Sequence, residues 1–145
     1  RLSLIDNIIG VKEANGDMDH VAQTISLAHE DFLVWSGNDN DTFHIMALGG
    51  YGVIGVTTHL VGRQIKKMMD LILENNVLEA AAIHRHLLPL VNALFSAPNP
   101  APLKYALKQI GFNMGNPRLP LVMPDAKAMA VIDSELKKHT IDIKP

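Results

Sequence analysis

The chain has 145 residues, of which 48% are hydrophobic, and this is enough apolar material for the core of one ordinary domain. Its 13 basic and 15 acidic residues give a formal charge of −2 without any run of like charges, so a nucleic-acid partner is not expected. The lack of cysteine excludes disulfides, thiolate zinc sites and cysteine nucleophiles, and it favours a cytoplasmic protein. No apolar run approaches the roughly 20 residues that cross a bilayer, so neither a membrane span nor a signal peptide is expected.

Short apolar runs alternate with amphipathic segments in the first part of the chain. The runs at residues 8–11, 32–35 and 53–56 are rich in β-branched or aromatic side chains and end in polar residues, which predicts three buried strands. Two helices are predicted between them, the first capped by Asp17 and the second at residues 43–48. Apolar strands joined by helices favour a parallel sheet that is covered on both faces, so we predict an α/β fold.

Only helices are predicted after the third strand. The apolar residues between Ile65 and Leu73 have helical spacing, and a second helix begins near Val77. A third helix follows the proline-rich turn at residues 97–102, and Asp125 is placed to cap the last one.

The seven histidines do not have the spacing of a metal site. His84 and His86 are two residues apart on a predicted helix and therefore lie on different faces of it. We expect surface histidines and no bound metal.

Lys12 is the first candidate for chemistry. Side chains alternate along a strand, so Gly10 and Lys12 share one face while Glu13 lies on the other, and an ammonium group stands at the carboxyl end of an apolar strand. An amine deprived of water loses its proton more readily and can then attack a carbonyl carbon to form a Schiff base. The alternative, a lysine that reaches solvent or pairs with a carboxylate elsewhere, stays open.

Polar residues follow each predicted strand. They are Lys12 and Glu13, residues 36–39, and residues 57–59. In parallel α/β folds the ligand binds at the carboxyl ends of the strands, so these groups are expected to meet at one rim, although turn formation and helix capping would explain them equally well.

A G-x-G-x-x-G pattern occurs at residues 50–55. A dinucleotide fingerprint needs these glycines between a strand and a helix, whereas Gly55 falls inside the predicted third strand. We therefore expect a tight turn and close packing here, and no nucleotide site.

Four motifs carry a resemblance to a known family. They are residues 8–16 (IIGVKEANG), 36–39 (SGND), 48–57 (LGGYGVIGVT) and 99–104 (NPAPLK). In order and spacing they resemble the C-terminal half of the dihydrodipicolinate synthase family, within the pyruvate-dependent class I aldolases, and the resemblance covers essentially the whole chain. The Lys-Glu-Ala-Asn-Gly context favours the synthases over sialic-acid lyases and keto-deoxy-sugar aldolases.

The resemblance implies a fold and three site residues. The fold is the C-terminal part of a (β/α)8 barrel, with strands six to eight at residues 1–75, followed by a helical region at residues 76–145. Lys12 would be the Schiff-base lysine, Gly37 would line the substrate site after the seventh strand, and the main-chain carbonyl of Ile54 would face bound pyruvate.

Other catalytic groups of the family belong to the first five strands, which this sequence does not contain. They are a proton-relaying tyrosine, a threonine pair that holds the pyruvate carboxylate, and an arginine at the entrance. The tyrosines and threonines present here do not occupy those positions; they are Tyr51, Tyr105, Thr57 and Thr58. The barrel is therefore expected to be incomplete, with the nucleophile separated from its catalytic surroundings.

The implied activity is the condensation of pyruvate with aspartate β-semialdehyde in lysine and diaminopimelate biosynthesis, with no metal and no other cofactor. A homo-oligomer, a tetramer or a dimer, is expected, and the 145-residue chain is expected to be a fragment that associates through its open barrel edge and is inactive alone. Two alternatives remain, namely a sister aldolase acting on sialic acid or a keto-deoxy sugar acid, and a non-catalytic assembly module.

Overall fold

A computed structural model describes residues 1–145 and confirms the α/β class. Three parallel strands form one sheet in the order β1-β2-β3; they are β1 (Gly10–Glu13), β2 (Leu33–Ser36) and β3 (Gly52–Val53). Two helices connect them, and four more follow; they are α1 (Met18–Leu27), α2 (Thr42–Ala47), α3 (Thr58–Leu73), α4 (Val77–Leu94), α5 (Ala101–Gln109) and α6 (Ala126–Lys138). Short 3-10 turns occur at Leu2–Leu4 and Asp39–Asp41.

The two predicted N-caps are confirmed. Asp17 accepts the backbone N–H of His20 at 3.0 Å, and Asp125 accepts that of Ala128 at 2.8 Å. Each carboxylate satisfies one of the amide groups that the first turn of a helix leaves without a partner. Capping thus sets where α1 and α6 begin.

The helices cover only one face of the sheet. Val34 of β2 packs with Val21 of α1 and Ile45 of α2, and Val11 of β1 joins this small core. Lys12 and the other side chains of the opposite face belong to neither buried cluster. The expectation of a sheet covered on both faces is therefore wrong, since α1 and α2 lie on the same side of the sheet, as right-handed parallel crossovers require.

The third strand is shorter than predicted. The ladder ends after Val53, although Ile54 still donates its backbone N–H to the Ser36 carbonyl at 2.9 Å. The amides of Val56 and Thr57 donate to the carboxylate of Asp39 instead of to the neighbouring strand. Gly55 therefore lies in the turn between β3 and α3, and its predicted place inside a strand is wrong.

The main hydrophobic core lies among the helices. Seventeen buried side chains, drawn from α2 to α6, form one cluster, and Leu60, Leu90, Leu94 and Ile132 are its largest fully buried members. This cluster joins residues on both sides of the proposed 75/76 boundary, and the division into a barrel part and a helical part stays a prediction. No helix combines the length and the apolar character needed to span a membrane.

Helix α3 contains a break that the C-terminal tail fills. Val61 has non-helical angles (φ −131°, ψ 36°). The carboxylate of Asp142 accepts the backbone N–H groups of Arg63 at 2.7 Å and Gln64 at 3.3 Å, and its own N–H donates to the Leu60 carbonyl at 2.8 Å. Asp142 therefore acts as an N-cap for the part of α3 that follows the break.

Candidate active site

Hydrogen bonds join the three loops at the carboxyl ends of the strands. The N–H of Gly37 donates to the Glu13 carbonyl at 2.5 Å, and the side chain of Asn38 donates to the Ala14 carbonyl at 3.0 Å. Asp39 binds the turn after β3. The polar groups that follow the strands thus meet at one rim, as the strand pattern predicts.

Lys12 lies on the uncovered face of the sheet, near this rim. It is the third residue of β1, its side chain is exposed, and Nζ takes part in no hydrogen bond or ion pair within the chain. The expectation of an amine shielded from water is therefore wrong for this chain, because no element packs against that face. The amine is unpaired and directly accessible.

Gly37 leaves the space that the Lys12 side chain occupies. A methyl group at this position would lie 3.1 Å from Cε of Lys12, 2.7 Å from the Cβ of Ala14 and 2.9 Å from the Glu13 carbonyl oxygen. Such distances are too short for ordinary contact, so only glycine fits without a shift. The structure thus brings together two of the three residues that the resemblance implies.

Glu13 does not pair with Lys12, in agreement with the alternation of faces. Its Oε1 accepts the backbone N–H groups of Ala14 at 2.9 Å and Asn15 at 3.0 Å. Its Oε2 lies 3.5 Å from Nε2 of His20. These contacts hold Glu13 within the loop after β1 and leave Lys12 without a carboxylate neighbour from its own strand.

Ile54 stands at the end of β3, on the same face as Lys12. Trp35 pairs with Lys12 on one side and with Gly52 on the other, and Ile54 is two residues beyond Gly52. Its side chain is 51% exposed, and its main-chain carbonyl has no hydrogen-bond partner in the chain. A free acceptor is thus present at the carboxyl end of the third strand.

Trp35 is a part of this face that the sequence analysis missed. A methyl group at Gly10 would overlap Cζ3 of its indole, and one at Gly52 would lie 3.5 Å from its Cδ1. The ring therefore extends over both neighbouring strands, and Tyr51 meets it edge-on with ring centroids 5.3 Å apart. The sequence contained a signal for this arrangement, because a parallel register can place Gly10 and Gly52 on either side of Trp35 and so leave room for its ring.

Asp39 is the second residue whose importance was missed. It is only 5% exposed, and its carboxylate accepts the backbone N–H groups of Val56 and Thr57 at the start of α3. It also lies so close to Gly55 that a side chain there would overlap it. Because this carboxylate already occupies the helix N-terminus, the glycine pattern at residues 50–55 leaves no free phosphate site.

Two pairs of histidines are in contact, and each pair has one member on helix α4. The His84 ring stacks on Phe43, with ring centroids 5.4 Å apart, and meets the edge of His44 at 5.3 Å. Burial is the main cause of the lowered pKa of His84, and the nearby His44 lowers it further. The His86 and His139 rings are 4.7 Å apart. The side chain of His139 is 3% exposed, so the expectation of surface histidines is wrong for this residue. No group of three or more possible metal ligands is assembled.

Comparison with known proteins connects this arrangement to one family. The model of the dihydrodipicolinate synthetase family matches residues 1–139. A 4-hydroxy-tetrahydrodipicolinate synthase from Dehalococcoides mccartyi is 52% identical over 143 residues, which are 99% of this chain and 48% of that protein. The chain thus spans about half the length of the curated relatives that it matches.

Solved structures give the same result. The crystal structure of dihydrodipicolinate synthase from Thermotoga maritima superposes with a TM-score of 0.90 at 38% identity, covering 94% of this chain and 48% of that one. The chloride-inhibited enzyme from Acinetobacter baumannii in complex with pyruvate superposes with a TM-score of 0.89 at 29% identity, covering 95% and 47%.

Proposed function

Because the chain belongs to the dihydrodipicolinate synthetase family, we propose that it supplies the Schiff-base lysine, Lys12, of an enzyme that condenses pyruvate with aspartate β-semialdehyde. The observation that carries this proposal is the placement of an unpaired Lys12 amine at the carboxyl rim, beside the space left by Gly37. The names of the relatives favour this synthase over a sialic-acid or sugar-acid aldolase.

The uncovered face of the sheet would be the inner wall of a (β/α)8 barrel. In this proposal β1, β2 and β3 are its sixth, seventh and eighth strands, with α1 and α2 on the outside. Strands supplied by the rest of the barrel would cover Lys12 and remove the water that surrounds it here. Two facts support this placement. The helices cover a single face of the sheet, and the relatives are about twice as long as this chain.

The chemistry follows from an amine that is free to attack a keto carbon. The neutral Lys12 amine adds to C2 of pyruvate, and loss of water leaves a protonated imine. The imine withdraws electrons, so the neighbouring methyl group loses a proton and becomes an enamine carbon. This carbon adds to the aldehyde of the second substrate, and the amino group of that substrate then displaces Lys12 as the ring closes.

Two further groups of this chain fit that sequence of steps. The free carbonyl of Ile54 is placed to accept a hydrogen bond from bound pyruvate or from an intermediate. Gly37 keeps the path of the lysine side chain clear. The proton-relaying tyrosine, the threonine pair and the arginine of the family would come from the first five strands, so turnover by the 145-residue chain alone is not expected. The complete protein is proposed to be a homo-oligomer.

Reduction of the imine tests the proposal directly. The protein with a complete barrel is incubated with pyruvate and borohydride, and the modified peptide is identified by mass spectrometry. We expect a 1-carboxyethyl group on Lys12, no modification in Lys12→Ala, and full modification in the control Lys66→Ala, because Lys66 is an exposed surface lysine paired with Asp70. A stable protein without an adduct, or with the adduct on another lysine, would show that the proposal is wrong.

Assays with the isolated chain and with alternative aldehydes complete the test. Condensation by the 145-residue chain at the rate of a complete enzyme would contradict the need for the remaining strands. Preference for a sugar aldehyde over aspartate β-semialdehyde would instead identify a sister aldolase.

A further inference from the structure

On the uncovered face, the aromatic side chain of Trp35 lies close to two glycines of the neighbouring strands. These are Gly10 in β1 and Gly52 in β3, and the indole of Trp35, from the central strand, extends over both of them. Trp35 is the only tryptophan of the chain and is half-buried although nothing packs on this face from above. A wide, flat apolar surface therefore crosses all three strands.

Lys12 lies next to this surface, toward the rim. Its Cα is the register partner of the Trp35 Cα, so the two side chains leave neighbouring strands side by side, about 5 Å apart. The indole lies toward the amino end of β1, against Gly10, whereas Cε of Lys12 lies toward the carboxyl end, against Gly37. The stem of the lysine is thus bounded by an aromatic ring on one side and by backbone on the other.

We propose that Trp35 is a positioning residue for the Schiff-base lysine, and that its indole is a floor that keeps the Lys12 amine at the carboxyl rim. The proposal rests on the proposed function of Lys12. A lysine side chain has many rotamers, and those that fold back along the sheet toward Gly10 would meet the ring. A reacting group that is held in place reacts faster than one that samples many positions.

The floor is itself held in place. Tyr51 meets the indole edge-on, at an interplanar angle of 70°. The two glycines allow the ring to lie close to the backbone, since a methyl group at Gly10 would overlap both Cζ3 of the ring and the Leu33 carbonyl oxygen. A smaller side chain in place of Trp35 would open this part of the face and release the lysine.

The test uses the protein with a complete barrel and the variants Trp35→Leu and Trp35→Phe. We expect Trp35→Leu to lower both kcat and the rate of borohydride-trapped adduct formation at saturating pyruvate by about tenfold, because the amine is less often in place. KM for pyruvate should change little, and Trp35→Phe should recover part of the rate. Phe95→Leu, which replaces an exposed aromatic side chain at the end of α4, is the matched control.

Each outcome decides between the two proposals. If the unaltered protein forms no adduct on Lys12, the proposed function is wrong. If the unaltered protein forms the adduct and Trp35→Leu forms it at the same rate, the proposed function stands and the positioning role of Trp35 is wrong. If Trp35→Leu does not fold, the role of Trp35 is tested with Trp35→Phe and with tryptophan fluorescence. Pyruvate should then change the tryptophan emission of the unaltered protein, and this change should be missing in Trp35→Phe and in Lys12→Ala; a change that persists in Trp35→Phe, or no change in the unaltered protein, would contradict the role proposed for Trp35.

Discussion

Both carboxylate oxygens of Asp39 lie 3.0 Å from the backbone nitrogen of Val56, so the loop after β2 is fastened to the start of α3. The next amide, of Thr57, donates to the same carboxylate. Thr57 is the N-cap of α3 by position, yet its own side chain makes no capping bond. The cap of this helix therefore comes from a distant loop, and the same bonds hold the turn that contains Ile54.

Substitution of Asp39 by alanine should destabilise the protein by about 2–3 kcal/mol. The change leaves two amide groups at a buried helix end without an acceptor, which costs more than the loss of one exposed cap. Asp39→Asn keeps one acceptor oxygen and should lose less. The free energy of unfolding from urea denaturation measures both effects. Asp17→Ala, at the exposed cap of α1, is the control and should lose about 1 kcal/mol. An equal loss in the Asp39 and Asp17 variants would contradict this view.

Substitution of Gly37 by alanine should slow adduct formation at Lys12 by about tenfold or more. The added methyl group would press on Cε of Lys12 and on the Cβ of Ala14, so the lysine must leave its position or the loop must move. The rate of borohydride-trapped modification measures the first effect, and the melting temperature measures the second.

Gly115→Ala provides a matched control for that substitution. A methyl group at Gly115 meets no atom within 4 Å, so this variant should react with pyruvate at the unaltered rate. Equal reaction rates in both variants would show that the space beside Lys12 does not matter.

Substitution of Asp142 by alanine should destabilise the protein by about 1–2 kcal/mol. The carboxylate caps the part of α3 that follows the break at Val61, so its removal exposes the amides of Arg63 and Gln64. Hydrogen exchange at these two amides should increase, and urea denaturation should show the loss. Asp70→Ala removes only an exposed ion pair on the same helix and should change stability by no more than about 0.5 kcal/mol.

The sequence predicted those features that depend on neighbouring residues. Alternation along β1 placed Lys12 and Glu13 on opposite faces, and the two helix caps at Asp17 and Asp125 followed from local patterns. The face on which the helices pack and the end of β3 could not be obtained in this way. They depend on crossover geometry and on Asp39, which takes amides 17 and 18 residues away from it in sequence.

The candidate site shows the same division between local and distant contacts. Lys12 was found from its own strand, whereas the indole floor of Trp35 depends on Gly10 and Gly52 in the two strands on either side. The cap that Asp142 provides to α3 joins residues 79 positions apart. A pattern read along one segment carries no information about such pairs until the register of the strands and the path of the tail are fixed.

Stability should fall as the pH drops below about 6.5, in part because of His139. Burial is the main cause of its lowered pKa and nearby His86 adds to it, while Glu135 opposes the shift and Lys138 supports it. A histidine with a lowered pKa in the folded state is protonated first in the unfolded chain. The stability that neutral His139 contributes is therefore complete above its pKa in the unfolded chain. It is lost as the pH falls from that pKa to the lower pKa of the folded state.

Substitution of His139 by glutamine should reduce this loss of stability as the pH falls below about 6.5. The substitution should not abolish the loss of stability, because the pKa of His84 is also lowered, chiefly by burial. Protonation of His84 therefore destabilises the folded protein as the pH falls, as protonation of His139 does. The pKa of Glu135 is lowered mainly by its hydrogen bond with Lys138. Glu135 therefore affects stability in a separate pH range, below its ordinary pKa of 4.5. Urea denaturation at a series of pH values measures the slope. The exposed His29→Gln is the control, and a slope that changes equally in both variants would mean that the buried contact with His86 has no part in it.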